Sequence, residues 1–166
     1  NIPYKDEKLK TSKVNNYSYQ KIKAENLIVK NNKNALIIRT NFFSHSSNSK
    51  QLIYKIQNSI NDKNKITLFN DYYFTPIYSK YLCKIINYLI KKDNIGIFNI
   101  VSDERISKYN FGKLFLKKIQ NEKDYFFKSK IKNAKLFTRR CYDLSLSNKK
   151  IKKIINFKIQ SLDKQI

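Results

Sequence analysis

The sequence has very few of the residues that interrupt or cross-link a chain: 166 residues include 2 Gly, 2 Pro, 2 Cys and no Trp or Met. Cys83 and Cys141 are too few and too far apart for a disulfide framework or a four-ligand zinc site. No apolar run approaches the roughly 18 residues that a membrane-spanning helix needs, and the polar N-terminus does not fit a signal peptide. These absences predict a reduced cytoplasmic protein without metal ligands or membrane contact, in which Cys83 is a small core residue.

Negative charge is also scarce, because 35 basic residues face only 12 acidic ones and the net charge is +23. Such a balance raises the hypothesis of a basic nucleic-acid-binding module. However, the basic residues are mostly Lys and are spread along the whole chain, whereas phosphate and base recognition favours clustered Arg. The abundant Lys, Asn, Ile, Tyr and Phe are also the residues that AT-rich codons specify. We therefore favour a Lys-rich solvated surface and keep nucleic-acid binding, which would weaken steeply with salt, as an alternative.

Hydrophobic periodicity predicts alternating helices and strands, which is typical of an α/β fold. The length fits one domain, and because the first residue is Asn we expect a piece of a longer chain. An irregular lead-in over residues 1–14 and a hydroxyl-rich loop over 44–49 are also expected. We predict helices over 16–30, 51–60, 79–92, 108–120 and 147–155, strands over 35–38, 66–69 and 96–101, and an extended segment over 72–77.

The first predicted helix carries Tyr17 and Lys21, which the helical repeat places on the same face, one turn apart. A phenol has a reference pKa of about 10 and is a proton donor at neutral pH. A cation one turn away favours the phenolate and lowers that pKa towards the working pH. The spacing predicts a proton-relay pair, although Tyr and Lys are abundant here and an ordinary exposed amphipathic helix has the same spacing. Ile22, Leu27, Ile28 and the ring of Tyr19 are available to pack this helix.

Polar and aromatic side chains follow the first predicted strand. The apolar run at residues 35–38 is typical of a strand covered on both faces in a parallel sheet. It ends at Arg39, Thr40, Asn41 and Phe42. The carboxyl end of such a strand is where open parallel sheets bind ligands. Phe43, in contrast, is expected to pack in the core.

Six segments, taken in order, resemble the C-terminal half of an extended short-chain dehydrogenase/reductase, and most of all the dTDP-4-dehydrorhamnose reductase group of that family. The resemblance covers roughly residues 4–162, and the order of the segments carries it more than any single one. The segments are 16–25 (NYSYQKIKAE), 35–43 (ALIIRTNFF), 71–77 (DYYFTPI), 96–101 (GIFNIV), 105–112 (RISKYNFG) and 144–150 (LSLSNKK).

The resemblance implies the C-terminal part of a Rossmann-like, NAD(P)-binding parallel sheet with a small substrate-binding subdomain, the N-terminal half being missing. Residues from about 1 to 60 would form the end of the Rossmann-like core, and residues from about 61 to 166 mainly the substrate-binding part. Tyr17 would protonate the carbonyl oxygen of a nucleotide-linked 4-keto sugar, to which NADPH or NADH delivers hydride. Lys21 would hold the nicotinamide ribose and lower the pKa of Tyr17.

The same resemblance implies roles for residues near the strand ends. Arg39 and Thr40 would join the pair as cofactor-binding residues. Asn41 and Phe42 would contact the sugar, Asn41 by hydrogen bonds and Phe42 by its ring. Arg105 would meet the nucleotide diphosphate, although a plain surface arginine is an equal alternative. The expected partner is a nucleotide sugar of dTDP-rhamnose or polysaccharide biosynthesis, and a homodimer of the full-length protein stays open.

Two departures from the family pattern restrict these expectations. The Gly-rich phosphate loop is absent, because Gly96 and Gly112 are the only glycines. No residue before Tyr17 convincingly supplies the family's catalytic Ser or Thr; Thr11 and Ser12 lie too close to it. The 166 residues alone are therefore expected to be inactive. A related epimerase or dehydratase, and a modulatory subunit without chemistry, stay as alternatives.

Overall fold

Helices and short strands alternate along the chain, which confirms the predicted α/β fold. The computed structural model describes residues 15–45, 51–134 and 140–166, so the predicted lead-in, residues Thr11 and Ser12, and residues 46–49 of the predicted loop lie outside the described residues. The helices are α1 (Asn16–Asn31), α2 (Leu52–Asn61), α3 (Ser79–Lys91), α4 (Lys108–Lys118), α5 (Lys149–Lys152) and α6 (Leu162–Gln165). The strands are β1 (Leu36–Arg39), β2 (Phe42–Phe43), β3 (Ile66–Phe69), β4 (Tyr73–Phe74), β5 (Ile77–Tyr78), β6 (Gly96–Asn99), β7 (Ile106–Ser107) and β8 (Phe126–Ser129).

Parallel pairing dominates the strands. β1 pairs with β6, β2 with β5 and β3 with β8, all in parallel, while β4 and β7 form an antiparallel pair. The β1–β6 register sets Arg39 beside Asn99, so both strands end at the same edge. Parallel strands need a crossover connection between them, and the helices after β1 and β5 supply it. The predicted site residues after β1 therefore lie at the carboxyl edge of a parallel pair.

Two clusters of buried side chains hold these elements together. In the first, α2 and α4 pack on β3 and β8, with Ile53, Ile56 and Phe111 fully buried. In the second, α3 and α5 pack on β6, with Ile85 and Leu89 fully buried. Complete burial of one such side chain stabilises the fold by about 1.5–3 kcal/mol, so these two clusters account for the stability of the helices and strands packed around them.

Helix α1 differs from the others because none of its residues is buried. The expectation that Tyr19, Leu27 and Ile28 pack this helix is wrong for the described part of the chain: their exposed fractions are 45%, 51% and 44%. Ile22 is half-buried. In the described residues α1 contacts β1 through the ion pair between Glu25 and Arg39, and the side chains of Tyr19, Leu27 and Ile28 stay exposed.

Two further expectations are corrected. Cys83 is exposed rather than in the core, because it follows buried Leu82 by 100° around α3 and points away from β6. The sequence predicts no helix or strand between residues 120 and 147, yet β8 lies there, and its Phe126 is buried against Leu68 and Gly112. Pairing with β3, which is distant in sequence, fixes the register of this strand.

Candidate active site

Helix α1 begins at a fixed position because its first turn has a capping box. Asn15 Oδ1 accepts a hydrogen bond from Ser18 N at 2.9 Å, and Ser18 Oγ accepts one from Asn15 N at 3.0 Å. Such a cap contributes about 1 kcal/mol to helix stability. Tyr17 lies inside this capped turn, so its backbone position is set locally by the sequence.

Tyr17 and Lys21 lie side by side on α1. The Lys21 Nζ atom is 5.7 Å from the centroid of the Tyr17 ring, and the exposed fraction of Tyr17 is 69%. A phenol next to an ammonium group can donate a proton while the nearby positive charge stabilises the phenolate that is left. Both groups are open to an incoming substrate in this chain.

Arg39, at the end of β1, binds Glu25 of α1. Its Nε donates to Glu25 Oε2 at 3.0 Å and its Nη2 to Oε1 at 2.5 Å. The two side chains are only 17% and 19% exposed, so this is a bidentate and largely desolvated pair. The family resemblance implies a place for Arg39 at the cofactor, and in the structure its guanidinium lies against the helix that carries Tyr17.

Thr40 and Asn41 bind neighbouring segments at the same edge. The Thr40 hydroxyl donates to the Ile100 carbonyl oxygen at 2.7 Å, which joins the ends of β1 and β6. Asn41 Oδ1 accepts from both the backbone N and the hydroxyl of Thr75, each at 3.3 Å. Asn41 Nδ2 donates to the Thr40 carbonyl oxygen at 3.2 Å. The Asn41 amide is thus oriented by Thr75, a residue that the sequence analysis did not single out.

Thr75 connects three segments of the edge. It is fully buried, and its Oγ1 accepts from Leu146 N at 3.1 Å while it donates to Asn41. A hydroxyl residue before Pro76, inside an otherwise aromatic and apolar stretch, was the available signal for this role.

The two phenylalanines after β1 have opposite environments. Phe42 is 53% exposed, so its ring is available at the edge. Phe43 is buried and packs edge-on against Phe111, with ring centroids 5.3 Å apart, which confirms its predicted place in the core. Alternation along an extended segment explains this, because successive side chains point to opposite faces.

Arg105 lies next to β4 and binds the C-terminal segment. Its Nη2 and Nε donate to Asp143 Oδ2 at 2.8 and 3.1 Å, and its Cζ is 3.6 Å from the centroid of the Tyr73 ring. Burial alone would raise the pKa of the Asp143 carboxyl, but hydrogen bonds from Ser145 and Arg105 outweigh burial and hold that pKa below its usual value. Arg105 reaches β4 at Tyr73, two residues before the Thr75 that binds Asn41.

Lys108 is a second cationic residue at this strand, and sequence reasoning missed it. Its Nζ is 3.2 Å from the centroid of the Phe74 ring. Burial, with a smaller contribution from the positive charge of Arg140, lowers the pKa of Lys108 to about 7. A lysine directly after the N-cap Ser107 and before an apolar helix was the only signal in the sequence.

Within residues 15–45, 51–134 and 140–166, no three His, Cys, Asp or Glu side chains group together as metal ligands. None of the helices described above is both long and apolar enough to span a membrane.

Comparisons with known proteins agree with this arrangement. The sequence model of the RmlD substrate binding domain matches residues 1–166, the whole chain. The chain belongs to this family. A comparison with curated protein sequences finds no match.

The RmlD-like fold is also present in solved structures of low sequence identity. The dTDP-4-dehydrorhamnose reductase of Bacillus anthracis, in complex with NADP, has a TM-score of 0.88 at 15% identity, with 98% of this chain and 57% of that chain covered. The reductase from Clostridium acetobutylicum gives 0.85 at 15% identity, covering 99% and 58%. The dTDP-glucose 4,6-dehydratase of Bacillus anthracis, in complex with NAD, gives 0.78 at 13% identity, covering 99% and 53%. The chain therefore spans little more than half the length of these proteins and shares the fold of the part that it matches.

Proposed function

We propose that this chain is the proton-donating and substrate-binding part of an NAD(P)-dependent reductase of a nucleotide-linked 4-keto sugar. The observation that carries the proposal is the Tyr17–Lys21 pair on a capped, exposed helix, in a chain of the RmlD substrate binding domain family. The reductase activity named for the proteins of Bacillus anthracis and Clostridium acetobutylicum, and the NADP of the first, belong to those proteins and extend to this chain as part of the proposal.

Tyr17 donates its phenolic proton to the carbonyl oxygen of the sugar. The nicotinamide cofactor supplies the hydride for the carbonyl carbon. Lys21 holds the nicotinamide ribose and stabilises the phenolate, because its ammonium group lies beside the ring. The residues of this chain fit only the nicotinamide end of a dinucleotide, since its two glycines form no phosphate-binding loop.

The substrate lies at the edge formed by the ends of β1 and β4. Asn41 is oriented by Thr75 and offers its amide to the sugar, and the exposed ring of Phe42 packs on the sugar face. Thr40 keeps β1 and β6 aligned and borders the cofactor. Arg105, whose guanidinium lies on the Tyr73 ring, contacts the nucleotide diphosphate.

The decisive experiment compares Tyr17→Phe with the unchanged protein, expressed with any residues that its gene encodes before Asn1. We expect kcat for NADPH-dependent reduction of a dTDP-4-keto sugar to fall by about 10²–10⁴-fold, because general acid catalysis contributes that much. Tyr19→Phe is the matched control on the same helix and should keep most of the activity. Near-normal turnover by Tyr17→Phe would reject the proposed role. The isolated 166 residues should show no turnover.

A related epimerase or dehydratase is the second candidate. The similarity to dTDP-glucose 4,6-dehydratase, with a TM-score of 0.78, favours it. Product analysis separates the two candidates: a reductase consumes NADPH stoichiometrically and forms a hydroxyl sugar, whereas an epimerase or dehydratase returns its cofactor unchanged after each cycle.

A further inference from the structure

Tyr17, Lys21 and Glu25 form a row along one side of α1, with one helical turn between neighbours. Lys21 is the middle member, so its flexible side chain can turn towards Tyr17 or towards Glu25. In the structure it lies beside the Tyr17 ring, with Nζ 5.7 Å from the centroid. No ion pair joins Lys21 to Glu25 in the part of the chain that the structure describes.

The Glu25 carboxylate is already bound, because both its oxygens accept hydrogen bonds from Arg39. A bidentate guanidinium pair is stronger than the single contact that a lysine one turn away can make. Without Arg39, a half-buried carboxylate would stand one turn from the Lys21 ammonium group and attract it. The ammonium group would then move away from Tyr17.

Arg39 is well placed to hold the carboxylate. Its backbone is fixed in the β1–β6 ladder opposite Asn99, and its carbonyl oxygen accepts from Ile100 N at 2.9 Å. The next residue, Thr40, also binds Ile100 through its hydroxyl. The guanidinium therefore extends from a rigid strand end towards a helix that has no buried residue of its own.

We infer that Arg39 is a positioning residue: by binding Glu25 it keeps that carboxylate from capturing Lys21, so that the ammonium group stays beside Tyr17. This inference rests on the proposed function, because it matters only if Tyr17 and Lys21 perform the chemistry. It also gives Arg39 a role that needs no direct contact with the cofactor.

The test is a double-mutant comparison of kcat in the protein as its gene encodes it, with Arg39→Gln, Glu25→Gln and the combined variant. Arg39→Gln leaves Glu25 charged and unbound. Its kcat should be at least about threefold lower than that of Glu25→Gln, because the attraction of Lys21 to a partly desolvated carboxylate is stronger than the attraction within an exposed ion pair on a helix. Adding Glu25→Gln to Arg39→Gln should restore kcat to the level of Glu25→Gln. Lys23→Gln, an exposed charge loss on the same helix, is the control.

A purely structural ion pair predicts a different pattern. All three variants would then be impaired equally and the second substitution would not restore activity, which overturns the inference. Unchanged kcat in Arg39→Gln also overturns it. If Arg39→Gln does not fold, Arg39→Lys replaces it: a lysine binds the carboxylate less well, so Arg39→Lys should again be slower than Arg39→Lys with Glu25→Gln, and equality of the two rejects the idea.

Tyr17→Phe is measured in parallel, so that a failure of the inference about Arg39 can be distinguished from a failure of the proposed function. If Tyr17→Phe is inactive and the second substitution brings no recovery, only the inference about Arg39 fails. If Tyr17→Phe is fully active, the proposed function fails and the role of Arg39 fails with it.

Discussion

Helices α1 and α3 are both long and rich in apolar residues, yet they occupy opposite environments. α3 buries Leu82, Ile85 and Leu89 against the sheet, whereas α1 buries nothing and leaves Ile28 and Leu27 about half exposed. Burial of apolar area is the main stabilising contribution to folding, so within the described residues α3 is held by packing, whereas α1 makes no such contribution. The helix that carries the proposed chemistry is held by its cap, by half-buried Ile22 and by Glu25–Arg39.

The same substitution on both helices tests most directly whether they contribute differently to stability. Ile85 is fully buried, so Ile85→Ala should lower the free energy of unfolding by about 2–5 kcal/mol, the range for buried Ile to Ala. Ile28 is 44% exposed, and Ile28→Ala should change it by no more than about 0.5 kcal/mol. Urea unfolding of both variants measures the difference. Similar losses would show that α1 is part of the same packed core.

Adding volume gives the reverse test, with a smaller effect. A Cβ at Gly112 would lie 2.7 Å from Leu68 Cδ1 and 2.9 Å from Phe126 Cε2, both in the core. Gly112→Ala should therefore cost about 1–3 kcal/mol of unfolding free energy by overpacking. Ala24→Leu on exposed α1 adds more volume and keeps helix propensity, so it should cost almost nothing. A stabilised Gly112→Ala, measured by the same urea transition, would contradict the tight packing of α4.

The comparison also explains which features were predictable from the sequence. The bounds of α1, β1 and α3 follow from local rules: an uninterrupted helical stretch, a short apolar run, and an amphipathic period. The Tyr17–Lys21 pair follows from the helical repeat alone. These features depend on residues within one or two turns of each other, which a sequence shows directly.

Features that depend on distant partners were missed. β8 forms because β3 pairs with it, and the pKa of Lys108 is lowered because burial and, to a smaller extent, the positive charge of Arg140 disfavour its charged form. The Glu25–Arg39 pair needs α1 to lie across the end of β1 in one register. Cys83 was placed inside from hydrophobicity, although its angular position on α3 directs it outward.

The smallest predicted effect on stability concerns the charge of the Asp143 carboxylate. The pKa of Asp143 lies below its usual value, so between the unfolded value of about 3.9 and the folded value the unfolded state binds more protons. The stability that Asp143 contributes is thus complete above that window and disappears as pH falls through it. Asp143→Asn should lower the free energy of unfolding by about 1 kcal/mol at pH 7, and the difference from the unchanged protein should shrink below about pH 4.

Asp124→Asn is the matched control for this titration. Asp124 lies 3.8 Å from Lys113 and both side chains are about half exposed, so the pair contributes little at any pH. Urea unfolding of the three proteins from pH 7 to pH 3 measures both effects. If the free energy of unfolding of Asp143→Asn differed from that of the unchanged protein by the same amount across that range, Asp143 would stabilise the protein by packing and not by its charge. The Arg105–Asp143 contact would then stabilise the body by packing, as the buried face of α3 does, and α1 would remain the element whose position depends on an ion pair.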